Sequence, residues 1–230
     1  MQTNSKDLSH KRVLGVAIPI VLANATIPIL GAVDTAVVGQ LGLAVPIGAV
    51  GIGAIIITAI YWLFGFLRMG TTGLTAQAIG SGDKPETSAL LVRGVIIGFT
   101  AGLILIIAQV PIFLGALQLS PASMEVESLA QKYLQIRVYS APAAIALFGI
   151  TGWLIAKEKT REVLLLQLAL NGINITLDLV FVLKLGWGVE GVAIATLIAE
   201  WSGLIFGLWL AREGFNNGYW KNWLQIFDRA

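Results

Sequence analysis

Long apolar stretches, joined by short polar connections, dominate the chain from Val13 onward. A helix that crosses a membrane needs about 20 mostly apolar residues, and six stretches reach that length. They cover roughly Val13–Val38, Pro46–Ile79, Ala89–Leu117, Leu129–Ala156, Val163–Leu183 and Val189–Ala211. The connections are short and rich in turn residues, so consecutive helices are expected to run antiparallel. The pattern predicts an all-α membrane protein with six transmembrane helices.

Composition supports this class and excludes others. The chain of 230 residues is 57% hydrophobic and 12% charged, whereas soluble domains carry about 25% charged residues. It has no cysteine, and His10 is its one histidine, so neither a thiolate site nor a multi-histidine metal site is expected. The net charge of +2 gives no reason to expect a nucleic-acid partner. The expected surroundings are membrane lipid, in a multi-pass protein of the bacterial inner (plasma) membrane.

The distribution of basic residues predicts the orientation, because cytoplasmic loops are enriched in Lys and Arg. With the N-terminus inside, only Lys132, Arg137 and Lys184 fall on the outer side, and Arg68 falls within the second span. The other basic residues fall on the cytoplasmic side. Both termini are therefore predicted to be cytoplasmic.

This reading divides the chain into three parts. Residues 1–12 form a polar cytoplasmic segment, and residues 13–212 form the six-helix lobe. Residues 213–230 mix aromatic side chains with Lys221 and Asn222, a composition typical of a helix on the membrane surface.

Three acidic residues interrupt the apolar spans: Asp34, Asp178 and Glu200. Each needs an explanation, because a charge at the bilayer centre costs about 2.5–3.5 kcal/mol on insertion scales. Asp34 lies about 32 Å along the first helix and Asp178 about 22 Å along the fifth, at 1.5 Å per residue. Both fall in the outer half of the membrane and share one cavity if these helices are neighbours. Glu200 is expected to pair with Arg68 or a loop cation in a structural role.

The fifth span carries a polar stripe. Gln167, Asn171, Asn174 and Asp178 are spaced by 4, 3 and 4 residues, which puts all of them on one helical face. Gln167 and Asn171 are interpreted as contacts that hold helices together. Asn174 with Asp178 is interpreted as a cation or proton site, because a carboxylate is a poor choice for helix packing alone.

Two further features concern the neighbouring spans. Thr196 in the sixth span either faces the same cavity or bonds back to its own helix backbone. Pro19 and Pro28 interrupt the backbone hydrogen bonds of the first span, which produces either a static bend or a hinge.

Three stretches carry a resemblance to a known family. Leu67–Ala78 (LRMGTTGLTAQA), Val33–Gly39 (VDTAVVG) and Ser140–Ala143 (SAPA) resemble the multidrug and toxic compound extrusion (MATE) transporters, especially their DNA-damage-inducible DinF branch. The resemblance extends over essentially the whole chain.

The resemblance implies one N-terminal lobe of a transporter with two six-helix lobes, which exports cationic or amphipathic compounds in exchange for H⁺ or Na⁺. The expected partner is a second lobe or a second copy of the chain. It implies no cofactor beyond the coupling ion, and Na⁺ would lie at Asp34, Asn174 and Asp178. The residues matched to the family's motifs are a coupling site (Asp34, Asn174, Asp178, Thr196), a bending proline (Pro19) and cavity residues (Asn171, Tyr133).

Three alternatives stay open at this stage. A lipid-linked oligosaccharide flippase of the same superfamily would need a more cationic cavity to hold a pyrophosphate. An intramembrane aspartyl protease would use Asp34 and Asp178, but the Gly-x-Gly-Asp pattern is absent, because Ile175-Thr176-Leu177 precedes Asp178. The third alternative is a lobe that does not transport by itself.

Overall fold

The computed structural model describes residues 10–120, 122–216 and 218, which form helices and short connections. The first half contains α1 (His10–Gly39), α2 (Ala44–Trp62), α3 (Gly65–Ser81), α4 (Lys84–Ile107) and α5 (Gln109–Gln118). The second half contains α6 (Met124–Arg137), α7 (Ala141–Ala156), α8 (Thr160–Asp178), α9 (Gly188–Leu210) and the short α10 (Glu213–Asn216). A 3₁₀ turn, Val138–Ser140, joins α6 to α7, and a π-helical segment, Leu179–Lys184, follows α8.

Six stretches of helix in the described residues are long and apolar enough to cross a membrane, which confirms the predicted class. They are Arg12–Gly39, Ala44–Ser81, Lys84–Ile107, Met124–Ala156, Thr160–Lys184 and Gly188–Leu210. The cytoplasmic location of the termini stays a prediction. Most of the predicted surface segment 213–230 and residues 1–9 lie outside the described residues.

Three boundaries differ from the sequence prediction. The second span consists of two helices, α2 and α3, separated at Leu63 and Phe64. The third span ends at Ile107 rather than Leu117, because Pro111 has no N–H with which to bond the Ile107 carbonyl. The fourth span begins at Met124 rather than Leu129, and its first turn is capped by the Ser123 hydroxyl, which accepts from the Val126 N–H at 3.4 Å.

Small residues bring the helices of the core together. A Cβ atom built on Gly98 of α4 would lie 2.6 Å from the Ala146 Cα of α7, and one built on Gly149 would lie 2.7 Å from the Gly94 carbonyl carbon. Such close approach is typical of membrane helices that pack through glycine. α1 packs against α8, and α9 packs against both α8 and α6. The first, fifth, sixth and fourth spans are therefore adjacent, as a shared cavity requires.

Candidate functional site

Asp34, Asp178 and Asn174 meet where α1 packs against α8. The side chains of Asn174 and Asp178 are completely buried, and Asp34 is 9% exposed. Asn174 and Asp178 lie one helical turn apart on the same face of α8. Asp178 is the last residue of this helix and is followed directly by the π-helical segment. Segments of this kind recur at functional sites.

The groups around Asn174 determine the orientation of its side-chain amide, because an amide nitrogen donates hydrogen bonds and a carboxyl oxygen accepts them. The nitrogen donates to Asp34 Oδ1 and to Asp178 Oδ2, each at 3.1 Å. The amide oxygen faces Thr196, 3.0 Å from its hydroxyl oxygen and 3.3 Å from its backbone nitrogen. Asn174 therefore connects three helices, α1, α8 and α9.

The sequence left open whether Thr196 faces the cavity or bonds to its own helix backbone, and in the structure it does both. Its hydroxyl lies 2.9 Å from the Val192 carbonyl oxygen of its own helix and also faces Asn174. A hydroxyl has one proton, so these two acceptors share a single donor. Thr196 is buried and anchors Asn174 to α9.

Neither Asp34 nor Asp178 forms a salt bridge in the described part of the chain. The six salt bridges found there all involve other acidic residues. Asp34 and Asp178 lie within hydrogen-bonding reach of each other, and Asp178 Oδ1 has no hydrogen-bond partner. Two buried like charges without a counter-charge are unfavourable. The arrangement therefore favours a bound proton or another small cation, which carboxyl and amide oxygens are suited to hold.

The remaining residues of the polar stripe connect helices, in line with their interpretation. Gln167 Nε2 donates to Asn171 Oδ1 at 2.9 Å, and Asn171 Nδ2 donates to the Thr26 carbonyl oxygen of α1 at 3.2 Å. Asn171 also lines a cavity of about 260 Å³. Asn174, Thr196 and Glu200 lie along the same cavity wall.

Pro19 and Tyr133 are buried outside this cluster. Pro19 lies within α1, which continues as one helix from His10 to Gly39 despite the two prolines. Fifteen positions separate Pro19 from Asp34, about 22 Å along the helix axis. Tyr133 is 2% exposed, and its ring contacts Gly53 of α2.

The predicted partner of Glu200 was wrong. Glu200 pairs neither with Arg68 nor with a loop cation. Arg137 Nη1 donates to Glu200 Oε2 at 2.9 Å, and Nη2 donates to Oε1 at 3.2 Å. Arg137 is buried inside the fourth span, whose predicted bounds already contained it. The signal for this was available in the sequence, because Arg137 follows the apolar residues Leu134 and Ile136 without a turn residue.

Comparison with protein families identifies the family of the chain. The MatE family model matches residues 19–180, which is most of the six-helix lobe and includes Asp34, Asn174 and Asp178. The chain belongs to the MatE family. With its six spans, this makes it a multi-pass protein of the bacterial inner membrane.

Relatives of this MatE chain come from bacteria and from a plant. The chain is 38% identical to the DNA damage-inducible protein F of Escherichia coli K12 over 205 residues, which cover 89% of this chain and 45% of that protein. It is 29% identical to the chloroplastic Protein DETOXIFICATION 44 of Arabidopsis thaliana, covering 91% of this chain and 44% of that protein. A probable multidrug resistance protein NorM of Thermotoga maritima is 26% identical over 84% of the chain.

Solved MATE structures share the fold of this MatE chain. A MOP superfamily transporter from Pyrococcus furiosus superimposes with a TM-score of 0.81 and 25% identity, over 89% of this chain and 45% of that one. A MATE structure in a bent conformation superimposes with a TM-score of 0.83, over 96% of this chain and 49% of that one. The chain spans about half the length of the curated relatives that it matches.

Proposed function

We propose that this chain forms the coupling-ion lobe of a secondary antiporter, which exports cationic or amphipathic organic compounds in exchange for H⁺ or Na⁺. The observation that carries the proposal is the buried carboxyl pair, Asp34 and Asp178. Both accept from one amide, Asn174, and neither forms a salt bridge among the described residues. The membership of the MatE family supports transport as the general activity.

The geometry suggests how an ion and a substrate would exclude each other. A proton or Na⁺ at the pair neutralises the charge that would otherwise attract a cationic compound. Because the pair joins α1 to α8, a change in its charge alters the contact between these two helices. We propose that α1 then bends at Pro19 and narrows the cavity lined by Asn171. The prediction that Tyr133 lines this cavity was wrong, because its side chain is buried against Gly53 instead. The complete transporter would include a second lobe or a second copy of the chain, because alternating access needs two bundles that move against each other.

The chemistry of the core disfavours the alternatives. A flippase for pyrophosphate-linked sugars would need a cationic cavity. Arg68 lines the cavity, but Glu200 lines it as well, and the buried Arg137 is already paired with Glu200. A protease would also place two aspartates within hydrogen-bonding reach, as this structure does. The relatives of the chain are transporters, which favours ion coupling over peptide hydrolysis for the same pair.

Efflux of a fluorescent dye tests the proposal. The chain and its Asp34→Asn variant are reconstituted in proteoliposomes with ethidium inside, and an inward gradient of H⁺ or of Na⁺ is imposed in separate arms. Glu190→Gln is the matched control, because it makes the same chemical change at an exposed site. The arm that drives efflux identifies the ion. Efflux that survives Asp34→Asn would contradict the proposal.

Ion binding is tested separately, so that the result does not depend on a second lobe. Dicyclohexylcarbodiimide, an apolar reagent that modifies protonated carboxyl groups, is added to the purified chain over a range of pH. Mass spectrometry then locates the modified residue. We expect labelling of Asp34 or Asp178 that decreases as the pH rises, and Na⁺ protects the pair if it binds there. Labelling that is independent of pH and of Na⁺ would rule out a coupling role.

A further inference from the structure

The Arg137–Glu200 pair forms a second polar layer next to the carboxyl pair. Glu200 lies one turn after Thr196 on the same face of α9, and Thr196 contacts Asn174. Arg137 is close enough to Asp34 for their charges to interact. The two layers are thus separated by one helical turn, and Asn174, Thr196 and Glu200 line the cavity of about 260 Å³.

The Glu200 carboxylate forms a bidentate contact with the Arg137 guanidinium. Besides the two hydrogen bonds to Glu200, Arg137 Nη1 donates to the Ser140 hydroxyl at 2.6 Å. Tyr61 Oη lies 3.3 Å from the same hydroxyl oxygen. The side chain of Arg137 is 7% exposed and that of Glu200 17%. Such planar, bidentate pairing fixes the guanidinium geometrically.

The arrangement leaves one buried donor and one buried acceptor unsatisfied. Arg137 Nε has no hydrogen-bond partner, and neither has Asp178 Oδ1. Arginine stays protonated in proteins. If Glu200 did not neutralise it, the guanidinium would be a buried charge about one helical turn from two carboxyl groups that form no salt bridge in the described residues.

We infer that Glu200 keeps Arg137 away from the coupling pair, and that without Glu200 the arginine acts as an internal substitute for the coupling ion. Glu200 is then a positioning residue for ion coupling rather than a packing contact. The inference rests on the proposed coupling role of Asp34 and Asp178. It explains why a carboxylate, itself costly in the membrane, lies one turn from the site.

The charged and titratable groups near the pair are few in the described residues. Besides Asp34 and Asp178, they are Tyr133 and Arg137 on α6, Glu200 on α9, Tyr61 on α2 and Arg68 on α3, which lines the cavity beside Asn174. Removal of the Glu200 charge therefore leaves Arg137 with the carboxyl pair as the nearest negative partner. An opposite charge within about 4–6 Å changes the protonation equilibrium of a carboxyl group by about tenfold to a thousandfold.

Carbodiimide labelling of the purified chain tests the inference with four proteins: wild type, Glu200→Gln, Glu200→Asp and the double variant Arg137→Gln/Glu200→Gln. At a pH where the wild-type pair is half labelled, we expect labelling in Glu200→Gln to fall by at least about fivefold, which is the effect of a tenfold change in the equilibrium at its midpoint. Glu200→Asp keeps the charge and is expected to label as the wild type does. The double variant removes the arginine as well and is expected to restore wild-type labelling over the whole pH profile.

The outcomes separate the alternatives. If the Arg137–Glu200 pair had only a structural role, labelling in the double variant would differ from the wild type at least as much as it does in Glu200→Gln. That result would overturn the inference. Wild-type labelling in Glu200→Gln would also overturn it. If Glu200→Gln does not fold, a double variant with a pH profile different from that of the wild type contradicts the inference. Failure of the proposed function has a distinct result, namely wild-type labelling that does not respond to pH.

Discussion

At the scale of single residues, Asn174 determines how the two carboxyl groups are held. It lies where α1, α8 and α9 meet, and its one amide donates to both aspartates and accepts from Thr196. No other residue type offers two donor hydrogens and an acceptor in so small a side chain. Its replacement should therefore affect ion binding as well as stability.

Asn174→Leu tests this role. Removal of the amide leaves buried carboxyl oxygens without a donor, which typically costs about 1–3 kcal/mol. We expect a lower unfolding temperature in detergent and a changed pH profile of carbodiimide labelling at the pair.

Asn171→Leu is the matched control, one turn earlier on the same face. It removes only the bonds to Gln167 and to the Thr26 carbonyl oxygen, so it should lower stability and leave the labelling profile unchanged. Identical labelling profiles in the two variants would show that Asn174 has no special role.

At the scale of elements, close packing of α4 against α7 holds the lobe together away from the site. Glycines of α4 face the backbone of α7 without intervening side chains. Pro142 lies in the first turn of α7, where its missing N–H costs no helical hydrogen bond. Trp153 of α7 donates from Nε1 to the Thr87 carbonyl oxygen of α4 at 2.8 Å. This rigid pair supports the wall of the cavity that α7 forms.

Gly98→Ala should separate these helices. The added methyl group would lie 2.6 Å from the Ala146 Cα and 2.7 Å from the Ile145 carbonyl oxygen, and overpacking of this kind costs about 1–3 kcal/mol. Thermal unfolding in detergent micelles measures the loss.

Gly73→Ala on α3 provides the comparison, because nothing lies within 4 Å of a Cβ at that position. We expect it to be neutral or stabilising by about 0.5–1 kcal/mol, the usual gain from Gly to Ala in a helix. An equal loss of thermal stability in both variants would show that stability depends on glycine content rather than on the α4–α7 contact.

At the scale of the whole molecule, the turn between α7 and α8 ties both ends of the described chain together. Glu158, in the left-handed backbone region at φ 56°, pairs with Arg12 near the start of α1. Its neighbours Lys157 and Lys159 pair with Glu213 of α10 at 3.3 and 2.7 Å. The ends of the lobe are therefore fixed at the face where the basic residues predict the cytoplasm.

The ion pairs of Glu213 with Lys157 and Lys159 predict that the stability of α10 depends on pH. Burial disfavours its charged form, but Lys159 and Lys157 outweigh this and hold the pKa of Glu213 below its usual value of 4.5. The stabilisation is therefore fully present above pH 4.5 and is lost as the pH falls through the lowered pKa. Hydrogen exchange of residues 213–216, corrected for intrinsic rates, should show less protection in that acidic range.

Glu213→Gln should reduce the protection of residues 213–216 from hydrogen exchange at neutral pH. It should also abolish the loss of this protection in acid. Glu162→Gln is a control on the neighbouring helix α8 and should behave like the wild type. Acid-dependent protection that persists in Glu213→Gln would assign the effect to another group.

The sequence was most informative where the cause is local. The stripe from Gln167 to Asp178 follows from helical spacing, and the structure does place Asn174 and Asp178 together with Asp34. The sequence was less informative about where a helix is interrupted and which side chains form ion pairs. The division of the second span at Leu63 and the pairing of Glu200 with Arg137 depend on neighbouring helices, and the roles of the site residues in coupling stay predictions.

The sequence by itself determined that this chain is a six-span membrane protein with acidic groups in its first and fifth spans. Hydrophobic length and helical periodicity are properties of contiguous residues, so they can be recognised without a fold. Only the tertiary structure decided that Asn174 bridges the two aspartates and that Arg137, 63 residues before Glu200, neutralises it. Those contacts depend on which helices are neighbours and on how deeply each side chain is buried, and packing of the whole lobe sets both.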